Sequence, residues 1–570
     1  MLLLLAVAVG LLCGFAAVLL KSLIELIQGG LMAVLDKADV WRDLLLLLLP
    51  GIGMLLSLLF VRKVIRDDIG HGVTKVLLAV SKNESQIKPH NMWSSILASA
   101  VTIGFGGSVG AEAPIVYSGA AIGSNVARKC GLSYRNMTIL LGCGASAAIA
   151  AIFKAPLAGV LFALEILLFN MSMSSLLPLL VSSITATVVA RIFLGNDVAF
   201  SNAIEGFRMI NMPWYLVLGL FCGAMSLYFI RTTLVVEDRM RRIAGPYRRW
   251  VLGAVVLGVL IFLFPPLYGE GYHSITEMLN NNPEAVAGGI FGSLLDNRWW
   301  FLAFVAAIMF LKVFATALTN AGGGVGGTFG PTLVSGGLAG FVIARLINLS
   351  GIASVPEANF VLAGMGGMMA GVMQAPLTAI FLIAEITDGY ELLIPLIVTS
   401  VVSFAAIRTV EPYSIYSKRI AAQGCLLTHD SDKTVLTLLH TANLVETDFV
   451  PVRPDGTLGD LVKAISASKR NLFPVLDEAG RLHGVVTLNE VRKIMFDTDK
   501  YDTLRIYSIM KSTPSFVYED EKMESVMNKL ESTGAWNLPV LDDENRFLGF
   551  VSKSKIFSSY REQLKEVSQD

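Results

Sequence analysis

As far as about residue 410 the chain is a succession of apolar stretches, irregular in length and repeatedly broken by Gly and Pro. Residues 2–20, LLLLAVAVGLLCGFAAVLL, hold no charge. A run of that length can cross a hydrocarbon core of about 30 Å. A secretory leader would need a basic region ahead of the run, whereas the first cation, Lys21, follows it, so a retained helix is expected. With 54% hydrophobic and 16% charged residues and a mean hydropathy of +0.63, the chain lies outside the range of soluble domains. Inside a bilayer, broken helices are tolerated only where they are buried in protein or line a cavity. The sequence therefore predicts a polytopic α-helical membrane protein with interrupted helices, not a bundle of plain spans.

Charge separates a second region from the first. Residues 425–570 carry 18 Lys/Arg and 23 Asp/Glu, against 27 and 22 in the 424 residues before them. We expect a membrane domain over 1–424, in halves of about 1–205 and 206–424, and a soluble α/β tail over 425–570. The cluster of Arg239, Arg241, Arg242, Arg248 and Arg249 between two apolar stretches marks a cytoplasmic loop. Cys13, Cys130, Cys143, Cys222 and Cys425 show no metal-ligand spacing and are expected as free thiols in the core.

The membrane region is internally duplicated. APLAGVLFALEI at 155–166 recurs as APLTAIFLIAEI at 375–386, and GGSVGAEAPIVYSGAAIG at 106–123 recurs as GGVGGTFGPTLVSGGLAG at 323–340. Two related halves place a substrate site where they meet. The tail repeats as well: Phe473–Asp477 with Gly484–Thr487 matches Leu538–Asp542 with Gly549–Ser552. Each unit, about 440–500 and 505–565, reads as two strands and a helix, and the pair is expected to pack as one module.

The Gly-rich segments carry the chemistry. Each gathers glycines before a Pro, Pro114 or Pro331, that opens an apolar helical run. A helix start presents unpaired N–H groups and partial positive charge, so two such starts converging in the membrane make an anion site without Lys or Arg. Glycine-mediated helix packing is the structural alternative. Glu112 sits inside the first segment, where a carboxylate is costly and functional by default. There it can occupy the anion site itself and leave when protonated, or simply cap the helix. Glu165 and Glu385, at matching repeat positions, read as structural helix-end groups.

GAEAP at 110–114, GTFGP at 327–331 and the APLAG…LFALE block, in this order, resemble the CLC family of chloride channels and proton-coupled chloride exchangers. The tail resembles paired CBS repeats, which fits the same family. The resemblance implies two inverted-topology repeats, a homodimer with one pore per subunit, and a cell (plasma or inner) membrane location with a cytosolic tail. It implies transport of chloride and similar monovalent anions, with protons as partners in counter-transport, and neither enzyme activity nor a required cofactor. Glu112 matches the gating glutamate and proton acceptor. Gly110, Thr328 and Phe329 match the anion-binding helix start, and Tyr416 matches the anion-coordinating tyrosine, with Tyr413 a weaker match. His71 and Gly72 fall in the first family motif, where a serine often contacts the anion and where Thr74 replaces a proline. Ile166 stands where exchangers often carry a second glutamate. A passive voltage- or pH-gated chloride channel and a fluoride exchanger remain alternatives.

CBS repeats often bind adenine nucleotides through a hydroxyl and a following acid. Thr487 and Glu490 fill those places in the first repeat, whereas Lys555 stands for the acid in the second. A divalent-cation channel would need several pore carboxylates, and helix N-termini repel cations. A metalloprotease would need paired histidines, and no HExxH is present. Nothing points to nucleic acid.

Overall fold

The computed structural model describes residues 1–35, 42–167, 173–195, 205–280, 297–387, 389–421, 439 and 441–568. The chain divides into two compact units, Met1–Leu426 and Leu427–Asp570.

The first unit is helical. Its first half holds α1 (Leu2–Leu35), α2 (Arg42–Leu59), α3 (Gly72–Lys82), α4 (Ser94–Gly104), α5 (Glu112–Lys129), α6 (Tyr134–Phe153), α7 (Pro156–Phe162) and α8 (Met173–Leu194). The second half holds α9 (Met212–Arg241), α10 (Pro246–Leu263), α11 (Tyr272–Leu279), α12 (Arg298–Ala321) and α13 (Phe329–Ser350). It continues through α14 (Glu357–Met373), α15 (Pro376–Ile386), α16 (Leu393–Arg408) and α17 (Ile415–Ala421). Among the described residues eight helices are long and apolar enough to span a bilayer, and five shorter apolar helices accompany them. The 11-residue α15 rises only about 16 Å at 1.5 Å per residue, roughly half a hydrocarbon core. Such helices end inside the protein, and their starts become available to a site.

Buried apolar side chains concentrate in α5, α6, α13 and α14, whereas α10 leaves Val251, Leu252, Val255 and Val259 exposed, as a lipid-facing helix does. The central helices pack through glycine. A side chain at Gly119 would strike the Gly144 carbonyl between α5 and α6, and one at Gly336 would strike the Gly364 carbonyl between α13 and α14. These are equivalent positions of the two halves, so close glycine packing does operate, one turn and more along each helix. Cys13, Cys143 and Cys222 are buried, but Cys130, just past the end of α5, is exposed, against expectation. Cys425 lies outside the described residues.

The tail folds as two related α/β units. Strand β1 (Leu472–Leu476) pairs antiparallel with β2 (Leu482–Thr487), with Phe473 opposite Val486. In the second unit β4 (Asn537–Leu541) pairs antiparallel with β5 (Phe547–Ser552), with Leu538 opposite Val551, and β3 (Val517–Tyr518) adds a parallel edge. Each unit has its own apolar cluster: Val452, Leu458, Leu461, Phe473, Val475 and Val486 in one, Val517, Val526, Leu530, Leu538, Val540 and Val551 in the other. The units are joined directly, by Arg481 bridging to Arg546 and the Phe547 N–H donating to the Gly480 carbonyl at 3.0 Å, and by the start of the first repeat, where Leu439 and Leu444 enter the second cluster and Glu446 bridges to Phe550.

Candidate anion and proton site

The two Gly-rich segments meet. Gly110 donates its N–H to the Gly327 carbonyl at 3.0 Å and accepts from the Gly327 N–H at 2.7 Å, an antiparallel bridge between equivalent residues. Reciprocal pairing of equivalents requires a local two-fold axis between oppositely running segments. Threonines one helix back repeat the exchange. Thr319 Oγ1 on α12 accepts from the Ser108 N–H at 3.3 Å, and Thr102 Oγ1 on α4 accepts from the Val325 N–H at 3.0 Å. Gly106 (φ +92°) and Gly323 (φ +107°) turn the chain through left-handed geometry that only glycine adopts cheaply.

The same reciprocity explains the two outlying carboxylates. Glu385 accepts from the Leu157 and Ala158 N–H groups at 3.0 and 2.8 Å, at the start of α7. Glu165 accepts from the Leu377 and Thr378 N–H groups at 3.0 and 2.7 Å, at the start of α15. Each half caps the other's short helix, so both acids serve structure, as the sequence suggested.

Helices α5 and α13 start on either side of the glycine bridge. Glu112, the first residue of α5, is 2% exposed. Its Oε2 accepts from the Gly330 N–H in the first turn of α13 at 3.2 Å, and its Oε1 accepts from the Tyr272 hydroxyl at 2.7 Å. A Cβ on Gly330 would lie 3.0 Å from Oε1, so glycine leaves the room the carboxylate uses. The Gly110 N–H, committed to Gly327, frames the site and is not free for an anion.

Thr328, at the cap of α13, and Tyr416, on α17, are both buried, and neither hydroxyl has a hydrogen-bond partner among the described residues. The two side chains neighbour one another, with Glu112 also within electrostatic reach of Tyr416. Orphaned buried hydroxyls cost about 1–3 kcal/mol each, and an anion accepting from both would remove that cost. Phe329 is buried against Phe153 and Phe162. Tyr413 is 40% exposed and lies outside this arrangement. Gly72 opens α3 directly beneath the Ala113 carbonyl, so a third helix start reaches the same region. His71 has φ +55° and its Nε2 lies 3.7 Å from Glu237 Oε2. The other oxygen of Glu237 accepts from Arg419, on the helix that carries Tyr416, at 2.7 Å. The ring therefore stands beside the buried Glu237–Arg419 ion pair at the end of α9.

Sequence reasoning missed three participants. Lys312, fully buried in the middle of α12, donates to Ser108 Oγ at 2.9 Å and to the Gly269 carbonyl at 2.8 Å. Glu270 Oε1 accepts from the Ala111 N–H at 2.9 Å, and Tyr272 follows it by two residues. A cation inside the apolar run Arg298–Ala321 was a readable signal for the first. The other two lie in YGEGYHSI, whose partners are some 160 residues away in sequence and invisible to spacing arguments.

The sequence of residues 53–408 matches the family described as voltage gated chloride channel, and residues 442–497 and 506–562 match the CBS domain. The chain belongs to the CLC family. Its CLC region is 30% identical over 427 residues to Chloride channel protein CLC-e of Arabidopsis thaliana, covering 69% of this chain and 58% of that protein's length. It is also 30% identical over 414 residues to the H(+)/Cl(-) exchange transporter ClcA of Salmonella paratyphi A, covering 69% of this chain and 82% of that one. A slow cyanobacterial Cl-/H+ antiporter superposes with a TM-score of 0.65 at 23% identity, over 74% of this chain and 97% of the other. A CLC fold with tandem CBS repeats at its C-terminal side describes the whole molecule.

In the CBS pair the expected nucleotide contacts are engaged locally. Glu490 Oε2 accepts from the Thr487 N–H at 3.0 Å in a reciprocal cap, and its Oε1 meets Lys511 Nζ at 2.8 Å. Partial burial disfavours the charge, yet Lys511 and Thr487 outweigh it and hold the Glu490 carboxyl below its usual range. In the second repeat Ser552 Oγ donates to Glu446 at 2.6 Å, so a carboxylate occupies the place next to that hydroxyl.

Proposed function

We propose that this CLC protein exchanges chloride for protons, with Glu112 acting as gate and proton acceptor. The observation that carries the reading is the carboxylate of Glu112 held across two helix starts by the Gly330 N–H and the Tyr272 hydroxyl. An ionised carboxylate and a small anion want the same donors and the same positive potential, so only one is held at a time. Protonation removes the charge, weakens both bonds and frees the donors for chloride. Thr328 and Tyr416 supply hydroxyls and Phe329 a buried backbone start for the anion on the far side of the gate. The exchangers among its relatives, including ClcA, support coupling. By family resemblance the protein works as a homodimer in the plasma or inner membrane, its tail in the cytosol.

A passive chloride channel is the second reading, favoured by Ile166, which is buried and has no proton to relay. Reconstitution in liposomes separates the two. Under a chloride gradient, an exchanger drives protons uphill, and Glu112→Gln passes chloride without moving protons. A wild type that passes chloride with no proton movement refutes exchange and leaves the anion pathway standing.

A further inference from the structure

We propose that Glu270 is the outer proton-exchange residue, loading and unloading Glu112 from the extracellular side; the inference rests on the exchanger reading above. The sidedness follows from charge. Helix α9 runs into the arginine cluster that marks the cytoplasmic face, and α10 starts within it at Pro246. Eighteen residues of α10 rise about 27 Å, so the segment 264–271 lies towards the opposite face.

That segment is fastened to the first Gly-rich loop. The Gly269 N–H donates to the Gly106 carbonyl at 3.0 Å, and the Gly269 carbonyl accepts from Lys312 Nζ at 2.8 Å. The Glu270 carboxylate is thereby set on the Ala111 N–H, one residue from Glu112, while Tyr272 reaches Glu112 itself. Glu112 is 2% exposed, whereas Glu270 is partly exposed. The two acids feel one another directly, and the other charges facing Glu270 are Lys312 from α12 and Lys21 from α1. Tyr272, on its own segment, is the remaining titratable neighbour.

In the transfer, protonated Glu270 gives its proton to the Glu112 carboxylate and is left as a carboxylate. Hydronium from the outer solution then reprotonates it, and the reverse sequence discharges Glu112 outward. A purely structural cap at Ala111 is the competing role. Glutamine keeps a carbonyl oxygen for the Ala111 N–H but carries no transferable proton, so one substitution separates the two roles.

The test uses the full-length protein in planar bilayers, with pH changed on one side at a time and chloride and proton fluxes both read. Glu270→Gln is expected to lower the proton flux per chloride by about a hundredfold or more, the scale of a lost general acid. Its chloride current loses its response to outer pH and keeps its response to inner pH. Glu270→Asp restores both the proton flux and the outer response in part, which also guards against a variant that merely folds badly. A wild-type proton ratio together with a wild-type outer pH response in Glu270→Gln overturns the proposal. If the wild type itself moves no protons, the exchanger reading fails, and an outer pH response of chloride current identical in wild type and Glu270→Gln overturns the role of Glu270 separately.

Discussion

Glu112→Gln tests how strongly the gate competes with its own substrate. The carboxylate uses separate oxygens for its two donors, Oε1 for Tyr272 and Oε2 for Gly330. Glutamine keeps one acceptor oxygen for the Gly330 N–H and its amide can donate to the Tyr272 oxygen, so both bonds become neutral. A hydrogen bond to a charged group contributes about 1.5–3 kcal/mol and loses about half of that on neutralisation. With about half lost from each of the two bonds, the substitution weakens the closed state by about 2 kcal/mol, near 30-fold in population. Chloride affinity measured by calorimetry on purified protein should rise accordingly, to the extent that the wild-type site is occupied by its own carboxylate. Tyr272→Phe removes a donor that the carboxylate and chloride share, so chloride affinity should change less than in Glu112→Gln. Chloride binding within about twofold of wild type in Glu112→Gln would refute the competition, and with it the gate.

Tyr416→Ala should weaken chloride binding, whereas Tyr413→Ala, at a 40% exposed side chain, should do less; the reverse order would show that the wrong tyrosine was assigned. Glu385→Ala and Glu165→Ala each leave two N–H groups at a short helix start without their acceptor, so the unfolding temperature should fall while the proton-to-chloride ratio stays put. A changed ratio would assign these acids to transport. Because the folded-state pKa of Glu490 is depressed, its stabilisation is fully present above the ordinary carboxyl value of about 4.3 and is lost as pH falls through the folded value. Its partner Lys511 is largely exposed, so the contribution is under about 1 kcal/mol, seen as a shallower acid-side loss of tail stability in Glu490→Gln. Calorimetric titration of the full-length protein with adenine nucleotide should find at most one site per subunit, through Thr487 and Glu490; two equivalent sites would contradict the carboxylate beside Ser552.

The sequence alone determined the class and the duplication, and it singled out Glu112. Solvent imposes these through composition and local pattern: apolar runs must be helical in lipid, glycines before a proline expose a helix start, and a lone acid there cannot be idle. Its reading of Glu165 and Glu385 as structural was right in kind, but which helix each one caps is a matter of the two-fold axis, and that exists only once the halves have packed. The same holds for Thr102 and Thr319, each serving the other half's loop. His71 was placed near the anion by its motif, through side chain or backbone, and its ring stands 3.7 Å from Glu237 on α9, a neighbour that no local spacing could give. Lys312, Glu270 and Tyr272 escaped because their partners are distant in sequence and their roles depend on an ångström-scale approach. A hydrogen bond reports where a backbone ends up, and for residues brought together by tertiary packing no local spacing carries that information.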